Sequence, residues 1–500
     1  MKIYPLFFAL FLFTTFTFIP THAQNLVEGR ALKKDSLLID LDLLEQALTE
    51  VHPGVYRYQT PESVQALFQD LRSKIYDGIT EATMMKYLAQ TVAQIRCGHT
   101  YVNPWNMDGR IRNRLFGGET FLPVGFSVIG DRLIVTHNAS EDQNIQAGAE
   151  LLAINGIPTA TIMDSLYTIG KSDGNNFESI PKYLSLSDYR KRNWEAFDLY
   201  FPLFFPLHAS TFEVTYQNYG ADEATTSQLK GLSKDKRAEI MEDRYGPEVL
   251  ENKQWKLEIV NDQLAIMKLG TFAIWNWKDF DPKRWYAEAF GEVHEKQIPN
   301  LIVDIRGNGG GLGEPRDMLL EYLIKEELTC EDRGKVLIRC VKLPENLVPY
   351  SDTWNKLIFK GIPKVMYKPY DETWYQLREK GDCKTLKPHK NAYRGNTFIL
   401  GGPSNVSATF TLLDQANKQG FATYVGETSG GNQQGINGGE YIFFYMPYSR
   451  MEVDIPLKYF APSDIRPDTG VIPQVPISYT QRDIAEGTDP AIEYIKGHLK

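Results

Sequence analysis

Three short segments of this chain carry the residues able to do chemistry. The first is Pro299 to Gly313, where the apolar run Leu301–Ile305 leads into five glycines among the seven residues 307–313. A run of that kind reads as a strand buried on both faces, and an amphipathic helix with Met318, Leu319, Leu320, Tyr322 and Leu323 follows the turn. Glycines there bring bare backbone N–H groups close to whatever binds, because no Cβ blocks the approach. The expected ligand is an anion, or an oxygen that becomes one.

Phosphate is the weaker candidate. The dinucleotide fingerprint needs glycines at i, i+2 and i+5. Counting from Gly307, Gly309 and Gly311, the third position is Leu312, Glu314 and Arg316 respectively, and no Gly-Lys-Ser/Thr is present. An acyl oxyanion and a plain tight turn remain.

The second segment is Gly401 to Phe410, which follows a strand at Thr397–Leu400 and opens a helix through Leu412, Leu413 and Ala416 to Gly420. Ser407 therefore sits at a strand-to-helix junction, where free N–H groups and the helix dipole stabilise developing negative charge. That is what an acyl-transfer nucleophile requires. The plain alternative is that Ser407 or Ser404 only caps the helix.

A serine needs a base. Lys418 lies on about the same helix face but ~16 Å along it at ~1.5 Å per residue, too far to take the proton. Three Ser-x-x-Lys matches, at Ser179, Ser227 and Ser233, lack the companion motifs of penicillin-binding enzymes. The third segment supplies a histidine. His99, in Arg96-Cys97-Gly98-His99-Thr100, is flanked by small residues at the end of an apolar helix; taken alone, such a histidine is more often structural.

The elements that must position these residues fall into a pattern. From Ser36 to Ile95 the apolar spacing is helical: Leu37, Leu41, Leu44 and Leu48 form one stripe, Val64, Leu67, Phe68 and Leu71 a second, Met84 to Ile95 a third. Thr60-Pro61 and Thr80-Glu81 read as helix starts. Short strands follow from Phe121 to Leu166, and the run Ile145–Gly156 resembles the signature of PDZ domains, which grip peptide C-termini by strand addition. A closed groove is the alternative there. Residues 175 to 255 mix aromatic strands with a charged stretch, Lys230 to Glu251. From Trp255 to Ile477 strands and helices alternate, as in an α/β core.

Met1 to Ala23 reads as a secretory signal: Lys2, an apolar region, then Thr21-His22-Ala23. The absence of a following cysteine argues against a lipid anchor. The net charge of −9 with dispersed Lys and Arg disfavours nucleic acid. Cys97, Cys330, Cys340 and Cys383 are too few for a disulfide scaffold and form no CxxC, so zinc is disfavoured, although Cys330 and Cys340 could pair.

Taken together and in order, Gly98-His99-Thr100, Asp304-Ile305-Arg306-Gly307-Asn308-Gly309-Gly310, and Ser407-Ala408 followed by Val425-Gly426-Glu427-Thr428-Ser429-Gly430-Gly431 resemble the C-terminal processing (tail-specific) serine peptidase family. The ending Gly470-Val471-Ile472-Pro473 fits as well. In the Ser–Lys branch of that family a lysine follows the Gly-Glu-x-Thr-x-Gly turn; here Asn432 stands there, so the chain is similar instead to the tricorn-like branch with a histidine base. The resemblance implies a multidomain α/β protein: signal peptide 1–23, helical domain 24–115, PDZ-like β domain 116–175, β-rich connection 176–255, and a core of the crotonase-like/ClpP-like type over 256–500 with an insertion at about 330–395.

It also implies roles. His99 would deprotonate Ser407, and the backbone N–H of Ala408 with that of Gly309 or Gly310 would hold the oxyanion. The acid that orients His99 would be Asp468, with Asp464, Glu427 and Glu440 as alternatives. No cofactor or metal is needed. The expected protein is a periplasmic or secreted serine endopeptidase acting on peptides or C-terminal regions of proteins, without nucleic-acid or membrane partners after signal cleavage. A non-catalytic binder of hydrophobic ligands or peptide C-termini on the same fold is the alternative.

Overall fold

The computed structural model describes residues 25–186, 194–247, 249, 251–329, 334–378 and 385–499. The signal segment, Cys330, Cys383 and part of the insertion lie outside them.

Helices dominate the first hundred residues. α1 (Lys34–Val51), α2 (Pro61–Ser73) and α3 (Glu81–Ala93) start where local chemistry favours it. Thr60 accepts from Ser63 N while Ser63 reaches back, closing a capping box ahead of Pro61, and Thr80 caps α3 the same way from one side. Leu37, Leu41, Leu44 and Leu48 are buried along α1, as their spacing of three or four residues requires. After α3 the chain passes His99 and enters α4 (Gly109–Phe116).

The middle of the chain forms a mixed-length antiparallel sheet. Its strands are β1 (Val124–Ile129), β2 (Arg132–Asn138), β3 (Glu150–Ile154), β4 (Ile157–Pro158), β5 (Thr211–Gln217) and β6 (Thr225–Lys230). Their order is β1-β2-β3-β5-β6, with β4 paired to β3, so the sheet takes strands from both sides of residue 175. α5 (Thr159–Tyr167), α6 (Ser179–Leu184) and α7 (Ala196–Phe204) pack nearby. Part of the charged stretch is α8 (Lys234–Tyr245), whose Arg237 is buried in an ion pair with Asp198.

The C-terminal half holds two more sheets. One runs parallel through β8 (Leu264–Leu269), β9 (Asn300–Asp304), and the strands Asn396–Gly401, Thr423–Gly426 and Val475–Pro476, with β7 (Trp255–Ile259) antiparallel at its edge. All five residues of β9 are buried, as expected of a central strand covered by helices on its faces. α9 (Pro282–Glu295), α10 (Gly313–Leu323) and the Ser407–Gln419 helix cover the face that carries Leu301 and Val303, and the helix Pro490–His498 covers the face that carries Ile302. The other sheet is built on a long hairpin, Ile436–Tyr445 with Glu452–Ala461, to which short strands of the insertion add. The hairpin's Phe444, Val453 and Ile455 share one core with α1, α3 and the middle sheet.

Candidate active site

The serine stands at the mouth of the parallel sheet. The chain leaves Asn396–Gly401 through Gly402-Pro403-Ser404-Asn405-Val406 and begins its helix at Ser407. Ser407 has φ = 53°, a left-handed backbone that a non-glycine residue adopts at a cost of about 1–3 kcal/mol and that persists only where surroundings dictate it. Those surroundings are identifiable. Asn405 is fully buried; its Nδ2 donates to the carbonyls of Ile305 and Asn308, and its Oδ1 accepts from Gly402 N at 2.7 Å. Thr409, in the first turn of the helix, donates to Asn308 O at 2.9 Å.

The glycine turn is thereby tied to the serine. Asn308, also fully buried, accepts from Gly310 N and Phe272 N through Oδ1 and donates to Leu269 O. Gly310 has φ = 100°, and a Cβ there would lie 3.0 Å from Ala408 N, Ser407 Cβ and Val406 O. Only glycine allows this contact between turn and helix. The Gly310 N–H is donated to Asn308, whereas Gly309 is exposed and its N–H makes no hydrogen bond among the described residues. Ala408 N–H belongs to the first helical turn, whose donors have no intrahelical partner.

His99 lies in a different wall of the same region. The segment 430–438 bridges the two. At one end a Cβ on Gly430 would stand 2.9 Å from Val406 Cγ1; at the other, a Cβ on Gly438 would stand 3.7 Å from His99 Nε2. No hydrogen bond joins His99 to Ser407. Burial holds the imidazole below its usual pKa, opposed by the charge of Asp173, while Lys171 pushes it further down and Asp454 acts upward. His99 Nδ1 and Asp173 Oδ2 are both buried without a hydrogen-bond partner. The second oxygen of Asp173 accepts from Gly98 N at 2.9 Å, beside the histidine in sequence.

Behind them sits a buried polar cluster that the sequence did not disclose. Lys171 lies over the Tyr101 ring at 3.9 Å, and burial lowers its pKa to about 8 against the pull of Asp454 and Asp173. Asp454 accepts from Asn103 Nδ2, and its neighbour on the same strand, Glu452, is fully buried. Desolvation and the adjacent Asp454 carboxyl push Glu452 far above the usual carboxylate range. Lys171 and Asp173 come from a polar loop, Gly170–Asn176, and Glu452 and Asp454 from an alternating strand; neither pattern marks a site. His52, another candidate by type, is structural: Gly54 N donates to its Nδ1, so Nε2 carries the proton shared with Thr100 Oγ1 at 2.7 Å.

The acids named from the sequence are placed as follows. Asp468 accepts from Asn175 and from Asn432 Nδ2 at 2.6 Å; Asn432 in turn donates to Asp173 O at 2.8 Å. Asp468 thus bonds directly to the loop that carries Asp173, through Asn175, and makes no hydrogen bond with His99. Asp464 pairs with Arg466, Glu440 with Lys458 and Asn355, and Glu427 lies beside Gly402. Cys97 is buried and accepts from Asn437, while the Cys340 thiol donates to Lys342 O.

Residues 264–441 match the family model described as Peptidase family S41. No curated protein sequence matches the chain. Among solved structures, mature CPAF complexed with lactacystin is similar with a TM-score of 0.61 at 14% identity, covering 93% of this chain and 97% of that one. Mature CPAF alone gives 0.60 at 13%, covering 93% and 96%. The photosystem II D1 C-terminal processing protease gives a TM-score of 0.41 at 14% identity, covering 89% of this chain and 93% of that one. At such identities the likeness carries the fold: a multidomain α/β protein with several sheets.

Proposed function

We propose that this chain, whose residues 264–441 match the model of peptidase family S41, is an exported serine endopeptidase working through a Ser407–His99 acyl-enzyme mechanism. The observation that carries the reading is the close contact of Gly310 with Ser407 and Ala408, which sets a strained serine beside two uncommitted N–H groups. In the proposed reaction, neutral His99 takes the Ser407 proton as Oγ attacks the scissile carbonyl. The N–H groups of Gly309 and Ala408 hold the resulting oxyanion, with Gly310 shaping the turn between them. The imidazolium then gives its proton to the leaving amine. Water, deprotonated by the same imidazole, hydrolyses the ester.

Asp173 is the acid proposed to orient His99. Its free Oδ2 and the free Nδ1 of His99 are complementary, a carboxylate acceptor and a ring donor left unpaired in one buried cluster. Asp468 acts at one remove, through Asn432 and Asn175. Formation of the Ser407–His99 hydrogen bond belongs to the substrate complex, since such bonds tighten there. Among the described residues no helix is long and apolar enough to cross a membrane; export is proposed from the Met1–Ala23 segment alone. A fluorophosphonate probe tests the whole reading. It should label the full chain, and labelling should vanish in Ser407→Ala and in His99→Ala; persistent labelling of His99→Ala rejects the base.

A further inference from the structure

Beyond His99 the wall of the site turns aromatic. Tyr441 and Phe443 stand two residues apart on the hairpin strand Ile436–Tyr445, so they share one face, while Ile442 and Phe444 point the other way into the core. The two rings are nearly parallel, tilted by 9° with centroids 6.2 Å apart. Trp354 stands edge-on to both, 5.4 Å from Tyr441 and 5.2 Å from Phe443. Even so, Trp354 is 66% exposed, a large ring left in water beside two partly buried ones.

The loop that presents Trp354 is fixed on both sides of it. Ser351 and Asp352 pair with Phe444 and Phe443 of the hairpin strand. Thr353 is buried, and its N–H donates to Asp352 Oδ1 at 2.8 Å. Asn355 Nδ2 donates to Glu440 Oε1 at 3.2 Å. The charges around the rings are spent on one another: Lys458 pairs with Glu440, and Lys356 with Asp352.

The rings open onto the candidate active site. A Cβ on Gly438 would stand 3.7 Å from His99 Nε2 and equally 3.7 Å from the Tyr441 hydroxyl oxygen, so both groups border a space that the glycine leaves free. The His99 and Tyr441 rings lie 6.1 Å apart. Gly430, at the other end of the same segment, meets Val406 beside Ser407. Along this wall the order is therefore serine, histidine, rings.

In the proposed reaction His99 hands its proton to the leaving amine, so the space beyond it receives the residues that follow the scissile bond. We infer that Trp354, Tyr441 and Phe443 form a subsite for an aromatic side chain within the first three residues after that bond, packed against the exposed indole. An aromatic ring gains edge-to-face contact here in addition to burial, whereas a charged side chain would lose hydration beside charges already matched. The inference deepens the peptidase reading and rests on it.

The test digests a tryptic peptide library from a whole-cell lysate with the full chain and reads the new N-termini by mass spectrometry. The expected result is that Phe, Tyr and Trp are enriched about tenfold over their library frequency at one of the first three positions after the cut. Trp354→Ala should bring that enrichment close to the library frequency, and Trp354→Phe should restore most of it, a pattern that a merely structural role would not produce. Phe443→Ala carries the test if Trp354→Ala does not fold by circular dichroism. Aromatic residues enriched only before the cut, no enrichment at all, or enrichment undiminished in the folded alanine variant would each overturn the subsite. Fluorophosphonate labelling of the native chain separates the two readings. A chain that labels and cleaves without this preference overturns the subsite alone, and one that neither labels nor cleaves overturns the peptidase reading and the subsite with it.

Discussion

At the scale of single residues, the proposed mechanism depends on one imidazole kept neutral and one carboxylate kept beside it. Burial sets His99 below its ordinary value of 6.5, so the neutral, proton-accepting form persists into mildly acid solution. The acid limb of Ser407 labelling should therefore have its midpoint below pH 6.5, which a pH–rate profile measures. Asp173 favours the imidazolium, so Asp173→Asn should move that acid limb lower still and reduce the plateau rate by about a hundredfold or more. An unchanged profile would remove Asp173 from the mechanism. Glu452 gives a prediction of opposite kind. Its folded pKa is raised, so above the ordinary 4.5 the unfolded chain releases a proton that the fold retains, and stability falls as pH rises. Glu452→Gln should flatten that slope, with a Tm above that of the native chain at pH 8 to 9 in paired thermal melts.

At the scale of elements, the site is a junction between two βα units, and amide side chains hold the junction together. Asn308 bonds inward to Leu269, Phe272 and Gly310, and Asn405 and Thr409 reach it from the serine side. Asn405→Ala would leave the Gly402 N–H without this partner in a buried setting, at a cost of about 1–3 kcal/mol, while the Ile305 carbonyl would keep only its bond from Asn308 N. A lowered urea midpoint together with slower labelling is expected; slower labelling without lost stability would point to a role in chemistry instead. The glycine turn is legible in the sequence, because five glycines after a buried strand admit few structures. The two asparagines were not, because an Asn in a loop has many uses and only its partners reveal which applies.

At the scale of the whole molecule, the proposed base and nucleophile come from regions that fold around different sheets. The His99 region is fastened to the C-terminal hairpin by Asn103 N to Glu452 O at 2.9 Å and Asp454 N to Tyr101 O at 3.1 Å. One hydrophobic core contains both α1 and the hairpin's Phe444 and Val453. Damage far from the chemistry should therefore reach it. Leu44→Ala, at a fully buried position of α1, is expected to cost about 2–5 kcal/mol. Loss of labelling and of circular dichroism should then coincide in one shifted thermal transition. Labelling that survived the melting of the helices would show that the core supplies its own base.

What the amino-acid order determined by itself is local. Periodicity set the helices of the first hundred residues, and Thr60-Pro61 and Thr80-Glu81 set their starts, because capping is satisfied within four residues. The apolar run into glycines, and the serine opening a helix, marked two parts of the site for the same reason. Only the tertiary structure decided which acid lies near His99 and that Leu186 bridges the outer edge of β1 at Phe126. It also decided that Gly310 N–H is spent on Asn308. Each of these depends on pairs of groups tens to hundreds of positions apart, such as Asn432 with Asp173. Side-chain type alone does not choose among the many carboxylates, amides and N–H groups that could satisfy one another once the chain has closed.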